Sequence, residues 1–505
     1  MKERTRRTDA YTNRKSDDVV VPEKLPNGEA TASEEAGEER TLTKRNTHKK
    51  AAHRTQNRAR ASFGLEGVRI RAKKDRGFRF TALLHHITPD LLRKSFFELK
   101  KKAAPGIDGV TWWDYKETLE ERLPKLHEEI QKGSYRARPV LRTYIQKEDG
   151  SKRPLGVTTV EDKLVQQAVC TVFQQIYDID FLGFSYGFRK DHSQHHALDA
   201  LAAAITTRKI GWVLDADLKS FFDTIPHEEL LRLIELRVAD KRILRLIRKW
   251  LKTGYSEDGI LHRQTIGVQQ GSSISPLLAN IYLHYVLDQW VEYERKANQY
   301  GDIIIVRYAD DFVLGFQRKG EAEHFFRKLR ERVSAFGLTM HPEKTRLIEF
   351  GRFAATNRKR RGQGKPEKFK FLGFTHICSV STKGRFWIKR VTIPQRLRNK
   401  IRKIKQELRK RISRPIHETG IWLRQVVTGY GNYHGVPGNS KTLKRIRNLC
   451  VRLWLKTLRR RSQKGRKLTW ERFGPIADKY IPPLRICHPY PEVRFANTRG
   501  RSRMR

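Results

Sequence analysis

The chain has 505 residues, enough for three or four domains at roughly 150 each, and its 105 Lys+Arg against 55 Asp+Glu leave a net charge of +50. Its 24 Phe, 16 Tyr and 9 Trp supply core anchors, which excludes a wholly disordered or collagen-like chain. No run approaches the ~18 apolar residues of a membrane-spanning helix, no apolar N-terminal stretch resembles a signal peptide, and Cys170, Cys378, Cys450 and Cys487 lie too far apart for a disulfide framework or a Cys-x-x-Cys zinc site. No membrane partner is expected, and a reduced, cytoplasmic setting is.

A charge of +50 repels itself in a compact state unless a polyanion neutralises it. Residues 391–505 hold 31 Lys+Arg and 5 Asp+Glu, about half of the excess in the last quarter of the chain. Such clustering is the footprint of a phosphate-tracking surface, and nucleic acid is the expected partner.

In chain order, residues 1–60 are polar with few aromatics and read as a disordered tail. Between 61 and 135, Leu91, Leu92, Phe96, Phe97 and Leu99 mark one helical face, and Leu119, Leu123, Leu126 and Ile130 another. Residues 136–160 predict a hairpin turning at Glu148-Asp149-Gly150. Gly211–Asp217 predicts a strand, with a helix after Pro226. Ser275-Pro276 opens a helix to about Glu292, and Ile303–Val306 and Phe312–Phe316 are apolar β runs around a polar tip. Ala322, Phe326, Leu329, Val333 and Phe336 stripe a helix ending at Gly337. This order predicts an α+β layer, a mixed sheet with helices on one face. Two later stripes, Leu397/Ile401/Ile404/Leu408/Ile412 and Leu443/Ile446/Cys450/Leu453/Leu458, predict helices whose opposite faces are Lys and Arg.

The chemistry lies in acidic strand ends. Tyr308-Ala309-Asp310-Asp311 would present two adjacent carboxylates at a hairpin tip, and adjacent anions at the edge of a core call for a counter-charge such as a divalent metal. Upstream, Asp215 and Asp217 project from one strand face, and Asp223 follows. Two such acidic ends brought together could hold two Mg²⁺ ions, which take oxygen ligands and complete their shells with water and phosphate.

Seven segments in this order resemble the reverse transcriptases encoded by bacterial group II introns. They are Lys152–Val157, Phe184-Ser185-Tyr186-Gly187-Phe188-Arg189, Asp217–Asp223, Gln270–Asn280 (with Ser275-Pro276-Leu277-Leu278), Val306–Asp311, Gly337–Thr345 and Phe371-Leu372-Gly373-Phe374. The resemblance implies a right-hand polymerase with fingers and palm on an antiparallel mixed sheet, followed by an all-α thumb/maturase domain and preceded by a disordered basic tail. It implies boundaries at 1–60 (tail), 61–210 (N-terminal extension and fingers), 211–375 (palm), 376–475 (thumb/maturase helices) and 476–505 (basic C-terminal tail). In the family pattern Asp217, Asp310 and Asp311 are catalytic and bind two Mg²⁺, with the carbonyl of Leu218 as a further ligand, while Asp215 and Asp223 are structural. Lys147 and Arg153 match cations that clamp the triphosphate, and Phe222 matches the aromatic that excludes a 2′-hydroxyl. Gln270 matches the glutamine beside the nascent base pair, and Phe371, Leu372 and Gly373 match the grip on the primer end. Lys344 has two readings, a lysine that assists pyrophosphate departure and a solvated lysine, of which the second is preferred. One departure is Gln269, where the family usually has proline, which frees the loop's φ.

The resemblance also implies partners: intron RNA, an RNA template, a DNA primer, target DNA and dNTPs. The basic residues Arg398, Lys403, Arg409, Arg459, Arg460 and Arg461 are the expected RNA contacts, Tyr430 and Tyr433 are stacking or core groups, and Trp454 is core. After Trp470 come 35 residues with one cysteine, too few for the His-Asn-His endonuclease of many relatives, so the endonuclease-lacking branch is expected. Competing expectations are a retron, diversity-generating or phage-defence reverse transcriptase, and a maturase that folds RNA without polymerising.

Overall fold

A computed structural model describes residues 64–146, 150, 152–298 and 301–498, with side chains to 494. The expected tail at 1–60 and Lys147 lie outside the described residues. Helix α1 covers 64–74. It is followed by α2 (Pro89–Glu98), α3 (Trp112–Glu117), α4 (Leu119–Lys132), β1 (Val140–Gln146), β2 (Lys152–Val157), α5 (Val160–Asp180) and α6 (Gln194–Thr207). Next come β3 (Trp212–Asp217), α7 (Phe221–Thr224), α8 (His227–Glu235), α9 (Lys241–Lys252), β4 (Tyr255–Glu257), β5 (Ile260–His262), α10 (Ser275–Leu283) and α11 (Gln289–Ala297). Then follow β6 (Ile304–Tyr308), β7 (Asp311–Phe316), α12 (Lys319–Ala335), β8 (Arg346–Glu349), α13 (Ala354–Arg360), β9 (Phe369–Phe371), β10 (Phe374–Val380) and β11 (Phe386–Thr392). The last elements are α14 (Pro394–Lys410), α15 (Ile416–His434), α16 (Ser440–Arg459), α17 (Gln463–Arg466), α18 (Trp470–Tyr480) and α19 (Pro491–Thr498).

Three sheets organise the molecule. One has the order β2-β1-β4-β5 with β1 and β4 parallel, one has β6-β7-β3-β8, and a small one has β11-β10-β9. The antiparallel β6-β7-β3-β8 sheet is the scaffold of the acidic ends. Leu214 and Leu314 are cross-strand partners at its centre and fully buried, and they belong to a core that also takes in α5, α8 and α10–α12. The helices after β11 have a separate core around Ile404, Leu423, Ile446, Cys450 and Trp454.

The structure corrects the periodicity reading in several places. Phe97 is half exposed while Phe96 stacks on Trp112, and in α12 the fully inward residue is Phe325 rather than Phe326. The helix opened by Ser275 is interrupted by a π-helical segment at His284–Asp288. The all-helical segment expected from 376 begins later, because β10 and β11 pair over Phe374–Thr392 and the helices start at Pro394. Helix α15 was not read from the sequence, since its glycines lower helix propensity. Those glycines have a tertiary reason. A Cβ at Gly431 would collide with Leu484, and one at Gly435 with Cys487, so the chain beyond α18 lies directly on α15.

The expected basic C-terminal tail is, through residue 494, a docked strap. His488 stacks on His195 of α6 with ring centroids 3.7 Å apart, and Arg494 reaches the buried Asp199 at 2.6 Å. Asp199 also pairs with the buried Arg390 of β11, so one carboxylate on α6 holds cations from two elements.

Candidate active site

Register gathers the carboxylates. In the β3–β7 ladder Asp217 lies directly opposite Asp311, and β6 and β7 are joined by the two-residue turn Ala309-Asp310. Opposite residues of an antiparallel pair face the same side, with Cβ atoms ~5 Å apart. Asp215, two residues before Asp217, shares that face. The side chains of Asp310 and Asp311 therefore stand beside Asp217. Desolvation in the cleft pushes both of their carboxyls up, although Asp311 keeps an exposed surface, and carboxylate neighbours add to it: Asp217 for Asp310, and Asp310, Asp217 and Asp215 for Asp311, whose pKa rises to about 7. Asp215 is also raised, to about 6, mainly by burial, and Arg346 of β8 sits 3.7 Å from it.

The turn is strained and held from behind. Ala309 has φ +58°, a region that costs a residue with a Cβ about 1 kcal/mol or more. Gly187 lies flat against it, since a Cβ there would collide with the Ala309 amide. Arg307, fully buried, donates to Asp288 Oδ1 (2.7 Å), Asn280 Oδ1 (3.0 Å), Ser185 Oγ (2.6 Å) and the Ala309 carbonyl (3.0 Å). Asn280 in turn donates to the Gly187 carbonyl at 2.6 Å. The π-helical segment ends at Asp288, which is fully buried. An arginine at 0% exposure is tolerable only when its donors are met, and here one of them is met by the backbone carbonyl of the Ala309-Asp310 turn itself.

The segment after α12 wraps the end of β3. The His341 amide donates to the Asp217 carbonyl (2.8 Å), the Lys219 amide to Thr339 O (2.8 Å), and Leu218, buried, bridges Met340. The carbonyl of Leu218 is the acceptor in neither bond. Lys344, expected to be solvated, donates from Nζ to Asp217 Oδ2 at 2.8 Å. It is the cation closest to this carboxylate, and it partly offsets the crowding on Asp310 and Asp311.

The β2-β1-β4-β5 sheet meets the same place. Arg153 of β2 donates from Nε to Gln270 Oε1 (2.8 Å), and Gln270 Nε2 donates to Asp223 (3.2 Å). The Gly156 amide donates to the Gln270 carbonyl, and Gly271 at φ +109° leaves no room for a side chain against Gly156. Arg153 is close enough to act on the Asp310 carboxyl. Phe221 fills the core, while Phe222, half-buried, is left beside Asp223. Gln269 donates to Gly254 O at 3.4 Å, a restraint that proline could not provide.

Phe371, Leu372 and Gly373 form the β9–β10 corner, a two-residue turn with φ +44° and +84° at Leu372 and Gly373. Tyr433 of α15 donates to the Leu372 carbonyl (2.8 Å). Beside the corner, Arg396, Lys400, Arg402, Lys403 and Tyr433 line a groove of about 750 Å³ that reaches Gln146 and Gly150 of the β1–β2 hairpin. Of the expected RNA contacts, Lys403 alone lines it. Arg398 is exposed and bonded to Gln395, and Arg409 is exposed elsewhere on α14. Arg459 and Arg461 donate to the carbonyls of Leu468 and Arg414, so only Arg460 of that triplet makes no such bond among the described residues. Tyr430 and Trp454 are buried.

Sequence reasoning missed Arg307, Asn280, Asp288 and the Lys344–Asp217 pair. The available signal for Arg307 was an arginine inside an otherwise apolar β run. Nothing local pointed to Asp288, whose position depends on a π-helical register.

A family model described as reverse transcriptase (RNA-dependent DNA polymerase) matches residues 145–376. The protein YkfC of Escherichia coli is 35% identical over 277 residues, covering 48% of this chain and 72% of that protein. The group II intron-encoded protein LtrA of Lactococcus lactis is 35% identical over 224 residues, 43% of this chain and 37% of LtrA. An uncharacterized 91 kDa protein in the cob intron of Schizosaccharomyces pombe is 34% identical over 209 residues, 40% of this chain and 25% of its own length. The match thus spans well under half of the two intron proteins. With its aspartate-bearing sheet and these relatives, the chain belongs to the group II intron-type reverse transcriptases, a family of RNA-directed DNA polymerases.

Proposed function

We propose that this protein copies RNA into DNA by two-Mg²⁺ nucleotidyl transfer and binds intron RNA as a maturase that promotes splicing and mobility. The observation that carries the reading is the Asp217–Asp311 cross-strand pair beneath the Asp310 tip. Among the described residues no group of three or more His, Cys, Asp or Glu could by itself hold a metal ion. That donor set suits Mg²⁺, which takes one or two carboxylates and completes its octahedron with water and substrate phosphates. Raised carboxyl pKa values show that these carboxylates crowd one another, and a divalent cation is a counter-charge that would offset the crowding. Asp217, Asp310 and Asp311, with the carbonyl of Leu218, would hold the ions. When bound they would supply activation of the primer 3′-hydroxyl and charge neutralisation at the leaving pyrophosphate.

The chain's own residues do the rest. Arg153 releases Gln270 and takes the triphosphate through its planar fork, while Gln270 settles against the nascent pair. Lys344 holds Asp217 Oδ2 at 2.8 Å and would yield that oxygen to a bound cation. Phe222 closes the space under the sugar. The Phe371–Gly373 corner, tied to α15 by Tyr433, holds the primer end. The groove along α14 is the thumb surface that takes the duplex, and dNTPs, RNA template, DNA primer, target DNA and intron RNA are the partners. No described helix is long and apolar enough to cross a membrane.

The test is Asp310→Asn. Mg²⁺-dependent extension of a DNA primer on RNA should fall by roughly 10³-fold or more, the loss of several kcal/mol of charge stabilisation, with RNA affinity retained. Undiminished extension would remove Asp310 from the reaction.

A further inference from the structure

Helix α9 carries six cations and no carboxylate in twelve residues, Lys241–Lys252. Its apolar side, Ile243, Leu244, Leu246, Ile247, Trp250 and Leu251, is buried. Its other side exposes Lys241, Arg245, Arg248 and Lys252, spaced i, i+4, i+7, i+11, so four positive groups form one straight ridge. At 1.5 Å per residue the ridge is about 16 Å long.

Nothing in the described protein neutralises it. Among the described residues Lys241, Arg245, Arg248 and Lys252 make no ion pair. The carboxylate at the helix start, Asp240, accepts from the amides of Leu83, Leu84 and Arg242 and pairs with Arg242 alone. The fifth cation, Lys249, is bound to the carbonyls of Gly133 (2.8 Å) and Tyr135 beyond the end of α4. That contact brings exposed Arg136 beside the ridge, where Arg245 and Arg136 repel the Lys249 charge. A row of like charges maintained without partners is a surface shaped for a polyanion.

The ridge is separate from the polymerase cleft. The cations acting on Asp310 and Asp311 are Arg153 and Lys344, and no α9 side chain lines the groove along α14. It also has no aromatic on its exposed side, so it offers no platform for the unstacked bases of a single strand. What remains is contact with the phosphates of a folded double helix.

We propose that the exposed ridge of α9, extended by Arg136, docks a double-helical segment of the structured intron RNA, outside the cleft that holds template and primer. The proposal rests on the intron-RNA reading above.

The experiment uses the full-length protein with Lys241, Arg245, Arg248 and Lys252 all changed to Gln, a residue that keeps helix propensity. Binding to a folded group II intron transcript is measured over a salt series, beside extension of a short RNA template–DNA primer duplex. The expected result is a salt slope shallower by about 4 for the transcript, affinity at low salt reduced more than tenfold, and unchanged extension of the short duplex. Arg245→Lys/Arg248→Lys should bind the transcript as the parent does, because phosphates read charge. An unaltered slope overturns the proposal, and so does an equal loss on both nucleic acids, which would place the ridge in the cleft. If the quadruple variant melts early, Arg245→Gln/Arg248→Gln gives the same test with a slope change of about 2. Failure of the parent protein to extend any primer would sink the polymerase reading and leave this binding measurement interpretable.

Discussion

The aspartate turn and the α14–α15 groove are built by opposite means. At the turn, main-chain register puts Asp217 across from Asp311, and a buried arginine grips the Ala309 carbonyl, so the carboxylates proposed to react inherit the rigidity of a sheet. In the groove, cations stand on the solvent side of α14 and are placed by helical phase alone. The first region tolerates no displacement of its parts. The second can lose a charge and keep its shape. Chemistry here depends on a few fixed atoms, and nucleic-acid affinity depends on many interchangeable ones.

The sharpest way to break that contrast is Arg307→Met. It leaves Asp288 in the interior without its bonded cation, Arg189 acting on it only at a distance, at a cost of about 3–5 kcal/mol, read as a loss of unfolding free energy in urea. Pairing it with Asp288→Leu should recover most of the stability, because a buried ion pair replaced by apolar groups is often neutral. Turnover should stay low in the double variant, since the Ala309 carbonyl still lacks its donor. Full recovery of both would make Arg307 a packing element with no hold on the turn.

Phe222→Ala tests a smaller piece of the same rigid region. Removing the ring should lower dNTP-over-rNTP preference by roughly 10- to 100-fold, the range for sterically rejecting one hydroxyl, with a smaller stability loss than at Phe221, because Phe222 is only partly buried against the core that Phe221 fills. Competitive incorporation of labelled nucleotides measures it, and an unmoved ratio would leave Phe222 a packing residue.

How much of this was open to sequence reading follows the same division. The Asp310-Asp311 turn was legible because apolar runs flank it. Choosing Asp217 over Asp215 was not, since both share a strand face and only register separates them: Asp217 opposes Asp311, while Asp215 opposes Val313 and Arg346. Helix α14 was legible from its stripe. Helix α15 was hidden by Gly420, Gly429, Gly431 and Gly435, whose purpose at Gly431 and Gly435 appears only once Leu484 and Cys487 lie on them. The strap beyond α18 reads from the sequence as a basic tail because its partners, His195 and Asp199, are nearly 300 residues away in the chain. Local pattern reads what an element is, and long-range contact decides what it touches.

Protons offer a gentler probe of the turn. The folded pKa of Asp311, about 7, lies above its ordinary value, so the metal-free protein binds an extra proton there. Its stability contribution is present at low pH and declines as pH rises from the unfolded carboxylate range near 4 to about 7. Mg²⁺ competes with that proton, so extension at limiting Mg²⁺ should rise by up to about tenfold per pH unit below 7 and level off above it. Asp311→Asn should flatten the pH dependence of melting in metal-free buffer; a decline as steep as in the parent would assign the titration to another group.

The smallest effects belong to the groove. Changing Arg402 and Lys403 to Gln should reduce the salt slope of template–primer binding by about 2, about one per lost phosphate contact, with affinity falling several-fold and the melting temperature unmoved, because both side chains are exposed. Arg460→Gln should cost at most one such contact. Arg459→Gln and Arg461→Gln should instead act on stability, since their guanidinium groups hold the carbonyls of Leu468 and Arg414. The basic stretch Arg459–Arg461 therefore divides by what each donor touches, and a uniform response of all three to salt would mean that those carbonyl contacts give way whenever RNA is present.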